Sequence, residues 1–106
     1  MISVSQSDAL LRYASERHDW FRLQFFSDRR RQILLLLAAE CEEQIGHGET
    51  NERRIGLLAA DRVKADRRLV PDWLNVDRFD DLATDVAKFL LEHPHAAADF
   101  SKGQMT

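Results

Sequence analysis

Apolar residues return every three or four positions along most of the chain, interrupted by short polar breaks rich in Ser, Asp, Gly and Pro. That period predicts amphipathic helices. Ser5-Gln6-Ser7-Asp8 has the form of a capping box, in which a serine and an acid three residues on satisfy each other's backbone amides. A first helix follows to about Phe26, with Leu10, Leu11, Tyr13, Ala14, Trp20, Phe21, Leu23, Phe25 and Phe26 as its apolar members. Ser15 to Asp19 are all polar, so a break near Ser15 would divide this helix in two.

Ser27 or Asp28 can cap a second helix running to about Ile45, unless the first continues through Asp28 as one rod. It contains the run Ile33 to Ala39, seven adjacent apolar residues that point in every direction around a helix. No side of that stretch is expected to face water, which makes it the centre of the core. A strand is disfavoured because the leucines lack β-branching and the flanks are helix formers. Gly46-His47-Gly48 stops the helix, with Gly46 expected in the left-handed position after its end.

Thr50 is expected to cap a third helix over 51–69, with Ile55, Leu58, Ala59, Val63 and Leu69 on one side and an Arg62/Asp66 pair on the other. Pro71 ends it, and Trp73 and Leu74 are expected to plug back onto the bundle. Asp77 with Asp80 then opens a fourth helix, in which Phe79, Leu82, Ala83, Val86, Phe89 and Leu90 keep a clean helical spacing. It is expected to stop near His93, before Pro94. The predicted architecture is an all-α, up-down-like small bundle of four main helices, five if the first breaks. It forms a single domain over residues 1–100, with 101–106 as a frayed tail.

Composition supports one globular domain. The chain has 106 residues, 44% hydrophobic and 31% charged, enough for a modest core but not for a core that also encloses a large cofactor. Net charge is −3, whereas a domain devoted to gripping nucleic acid is usually basic. The charge is uneven. Residues 47–70 carry six Lys/Arg against four Asp/Glu, and residues 71–106 carry three against seven. The third and fourth helices are therefore electrostatic complements suited to adjacent packing. A single cysteine, Cys41, suits a reducing cytoplasm. The opening Met1-Ile2-Ser3-Val4-Ser5 lacks a secretory pattern, and no apolar run approaches the roughly 20 residues of a membrane span, so no membrane partner is expected.

Chemistry is sparse. His18-Asp19 lacks the further ligands that a metal-dependent phosphohydrolase needs. Glu42/Glu43 and Asp80/Asp81 are sequence neighbours that diverge by about 100° on a helix, so neither is an acid/base pair. No phosphate-binding Gly-rich loop or nucleophile elbow is present. The expectation is therefore no catalysis and no cofactor. Cys41, His47, His93 and His95 are zinc-ligand types without a zinc spacing, and a small metal-binding protein is one alternative. A DNA-binding regulator is another, reading bases with Asn51, Arg53 and Arg54 within the basic set that also holds Arg62, Lys64, Arg67 and Arg68.

One segment exceeds what a self-contained bundle requires. Trp20, Phe21, Phe25 and Phe26 point in more directions than one apolar stripe can hold. They run into Arg29, Arg30 and Arg31, which the helix dipole disfavours in a first turn by a few tenths of a kcal/mol each, roughly. Aromatics with Arg are enriched at interfaces. The leading expectation is thus a non-catalytic cytoplasmic regulator, inhibitor or adaptor of bacterial or phage type. It would bind a protein partner, or a second copy as a homodimer, through these seven residues. The competing structural reading is that Trp73 and the C-terminal segment wrap the rings within the monomer.

Overall fold

The structure, a computed structural model, describes residues 4–66, 68–71 and 73–92, with side chains described from Ser7 onward. It is all-α. The described residues form five helices: α1 Val4–Arg17, α2 Asp19–Gln24, α3 Ser27–Gly46, α4 Glu52–Lys64 and α5 Val76–Glu92. None of them is long and apolar enough to cross a membrane. The expected tail, and His93 to His95, lie outside the described residues.

The first expected helix is two. It breaks at His18, three residues after the expected point, because the polar stretch through Asp19 has no apolar member to hold it on the core. Nor does a rod continue through Asp28. Phe25 and Phe26 are extended, and Phe26 takes the N-cap position of α3 with no side-chain cap, in place of Ser27 or Asp28. At the other end of α3, Gly46 remains helical and Gly48 takes the left-handed backbone, at φ 92°.

Three further termini differ from the sequence expectation. Ser5 to Asp8 lie inside α1, so they do not form its cap. Asn51, not Thr50, caps α4, its Oδ1 accepting from the Arg54 amide at 3.0 Å. α4 ends at Lys64, and beyond it the Leu69 and Val70 amides both donate to the Asp66 carbonyl. Asp66 is thereby outside the helix and pairs with Arg68, while Arg62 reaches Glu40 on α3 at 3.8 Å. Asn75 does for α5 what Asp77 was expected to do, accepting from the Arg78 amide at 3.2 Å.

The core is built on α3, α4 and α5. Ile33, Leu34, Leu37, Ala38 and Cys41 of α3 are buried against Ile55, Ala59, Ala60 and Val63 of α4 and against the whole periodic series of α5. The expectation that all of Ile33–Ala39 is shielded fails on one side: Leu36 is 42% exposed and Ala39 is exposed, because no described element covers that face of α3.

The closest approach is between α4 and α5. A Cβ placed on Gly56 would lie 2.5 Å from Thr84 Cα and 2.6 Å from Thr84 N, so the two backbones touch there. Gly56 and Ala60 on α4, with Ala83 and Ala87 on α5, are all buried. Each pair is four residues apart and lies on one helix face. Outside this dry seam the predicted charge complement is realised: Arg53 meets Asp81 and Lys64 meets Asp80, each at 3.2 Å.

Candidate functional site

The surplus aromatics form a connected ladder at the corner where α2 turns into α3. Phe21 is fully buried. Its ring lies 5.7 Å from Phe25, and Phe25 in turn stacks on Trp73 at 6.1 Å and 23°. Trp20 closes the set, 5.5 Å from Phe21 and 6.4 Å from Phe25. Trp73 therefore does cover part of the corner, as the structural reading expected, with its own outer side in solvent.

Local geometry decides which side chains face out. At 100° per residue Leu23 lies about 200° around α2 from Phe21, so burying Phe21 turns Leu23 outward. Phe25 and Phe26 are consecutive extended residues, whose side chains point to opposite sides; with Phe25 packed inward, Phe26 must leave the core. The result is a set of exposed apolar side chains around this corner, Phe26 (91% exposed), Leu23 (75%) and Trp73 (63%). Val76 at the start of α5 is also exposed. Of the four predicted rings, then, only Phe26 is exposed; Phe21 is core, and Trp20 and Phe25 are half-buried.

The three arginines are spent internally. Arg30 donates to the Phe25 carbonyl (3.1 Å), Ser15 Oγ (2.5 Å) and Ser27 Oγ (3.3 Å), tying α1 to the corner. Arg31 reaches Ser7 Oγ and the Asp8 carboxylate, both at 2.8 Å. Arg29 donates to the Arg68 carbonyl at 2.9 Å. A hydrogen bond from a charged donor is worth about 1.5–3 kcal/mol, against a dipole penalty of a few tenths, so their position in the first turn of α3 is accounted for by these acceptors. Asp28 is not among these partners.

A pair that the sequence did not reveal lies beside this corner. His18, at the break between α1 and α2, points its Nε2 at Asp85 Oδ2 on α5, 2.7 Å away. Arg17 Nε reaches the same oxygen at 3.4 Å, and its guanidinium sits 5.0 Å over the Tyr13 ring. Tyr13 is packed on Phe89, and its hydroxyl has no hydrogen-bond partner among the described residues. Burial pushes that phenol above its ordinary pKa, against the lowering effect of Arg17. His18 and Asp85 lie far apart in sequence and on different helices, so no local spacing signals them. The pair anchors the α1–α2 break to α5. Asp19, the neighbour that the sequence offered, instead pairs with Arg22 at 3.2 Å.

The residues of the nucleic-acid alternative are engaged within the fold. Asn51 is the α4 cap, Arg54 pairs with Glu49 at 3.0 Å and Arg53 with Asp81. Among the described residues no three His, Cys, Asp or Glu side chains converge on a point that could hold a metal ion. Cys41 is fully buried and His47 is exposed. Desolvation raises the Cys41 thiol to about 12, with Glu40 adding to the shift. Glu42 is buried where Glu43 is exposed, and Asp80 and Asp81 hold different cations, as their divergence on a helix requires.

Comparison with known proteins finds no matching family model, no similar curated protein and no similar solved structure.

Proposed function

We propose that this chain is a non-catalytic protein-binding module, a small regulator, inhibitor or adaptor. Its docking surface is the set of exposed apolar side chains at the α2–α3 corner. The observation that carries this reading is Phe26, an aromatic side chain 91% exposed beside a stacked Phe25–Trp73 pair, with Leu23 also in solvent. A rigid aromatic platform with projecting apolar side chains is the composition of an interface centre. The arginine clamps belong to the platform: they hold the corner in shape and leave recognition to the rings.

The surrounding helices act as an up-down bundle that supports this corner, and the single buried thiol suits a reducing compartment such as the cytoplasm. The test is affinity capture from host lysate with the native chain and with Phe26→Ser and Leu23→Ser variants. Partners held by the native chain and lost by both variants support the reading. Partners that remain unchanged in both variants refute it. Sedimentation of the native chain separates a foreign partner from a second copy, because a homodimer through this surface would dissociate in the same two variants.

A further inference from the structure

At the exposed Leu23 lies a surface depression of about 470 Å³, lined by Arg17, His18, Trp20, Leu23 and Gln24 and, from the start of α5, by Arg78. Trp20 and Leu23 give it an apolar lining, and Arg17 and Arg78 a cationic one. The one carboxylate on its rim, Asp19, is already matched by Arg22 at 3.2 Å. Arg78 has no hydrogen-bonding or ion-pair partner for its guanidinium among the described residues, whereas Arg17 meets Asp85 through Nε and lies over the Tyr13 ring, its two terminal nitrogens making no hydrogen bond among the described residues.

We propose that this depression receives an apolar side chain from an acidic segment of a partner protein, whose flanking carboxylates are held by Arg17 and Arg78. The proposal deepens the protein-binding reading and rests on it. Complementarity sets the chemistry of the partner. Trp20 and Leu23 offer an apolar seat. An arginine matches a carboxylate by paired N–H donors, so Arg17 and Arg78 in the lining favour an acidic residue near the apolar anchor. A basic segment would place like charges together and be excluded.

The experiment pans a random peptide library displayed on phage against the full chain and then ranks the enriched peptides against variants. The expected result is enrichment of peptides with a Leu, Phe or Trp flanked by Asp or Glu. Their affinity should fall at least tenfold in Arg78→Glu and in Leu23→Ser, and weaken as salt rises. Both substitutions are at exposed positions, and circular dichroism checks that each variant keeps its helices. Enriched peptides that depend on Leu23 and Phe26 but are neutral or basic, or are indifferent to Arg78→Glu, overturn the acidic-partner proposal and leave the docking surface standing. Enrichment that ignores Leu23, Phe26 and Arg78 alike, or no enrichment, overturns both. Binding of a mixed-sequence oligonucleotide that is lost in Arg78→Glu would assign these cations to phosphate and likewise overturn the proposal.

Discussion

Gly56→Ala separates the tertiary packing of this protein from its local propensities. In a helix interior, alanine is favoured over glycine by about 1 kcal/mol, so local preference alone says that the change stabilises α4. The structure says the opposite. The new methyl would meet Thr84 Cα at 2.5 Å and Thr84 N at 2.6 Å, and backbone atoms in the middle of α5 cannot step aside as a flexible side chain can. α4 must move off α5, loosening Ala59, Ala60 and Val63 against Ala83, Val86 and Ala87. Overpacking of this kind costs about 3 kcal/mol at the upper end of its usual range. Less the propensity gain, the net loss is about 2 kcal/mol, a fall in Tm of about 8 °C for a domain of this size. Gly46→Ala is the matched control: it is helical, has ordinary φ, and its added methyl meets nothing within 4 Å. That variant should gain a few tenths to about 1 kcal/mol. Thermal and urea unfolding followed by circular dichroism measure both. If Gly56→Ala is as stable as the native chain, or more so, the α4–α5 contact is wrong.

Four other outcomes follow from named contacts. Phe21→Ala should cost about 3–5 kcal/mol in urea unfolding, while Phe26→Ser stays within about 0.5, because one ring is core and the other is in solvent; equal losses would place Phe26 inside. Arg30→Ala should lose about 2 kcal/mol, and Arg30→Lys should not restore it, since a single ammonium cannot replace a fork serving Phe25, Ser15 and Ser27. Asp85→Ala frees His18 from α5 and should speed amide hydrogen exchange in α2 on the order of tenfold; unchanged exchange there would deny the anchor. Cys41 should resist thiol reagents until the chain unfolds. Its folded pKa of about 12 lies above the ordinary 9.0, so folding favours the neutral thiol. The matching stability is complete below pH 9, declines as pH rises from there toward 12, and should be missing from the alkaline unfolding profile of Cys41→Ala.

Much of the helical content was legible because it depends on residues three and four apart. The α5 series Phe79, Leu82, Ala83, Val86, Phe89 and Leu90 is buried throughout, as its spacing predicts, and the basic and acidic helices do pair. Helix ends were read less well. Asn51 competed with Thr50, Asn75 with Asp77 and Gly48 with Gly46, and neighbours of similar chemistry differ only in where the chain has to turn. Gly56-xxx-Ala60 and Ala83-xxx-Ala87 were visible as small residues at one-turn spacing, a signal for close helix approach that the apolar pattern alone conceals.

For the candidate site, the composition of the stretch from Trp20 to Arg31 already showed more rings and cations than one helix needs. Where each of them points came from the packing of the helices. A six-residue helix has two opposite sides and one core to meet, so Phe21 goes in and Leu23 comes out; an extended pair does the same to Phe25 and Phe26. The acceptors that occupy the arginines come from α1, from the corner and from the chain after α4, and the partner of His18 comes from α5. Those meetings depend on how helices cross, which is set by side-chain volumes summed over the whole core and leaves no mark in any short window of residues.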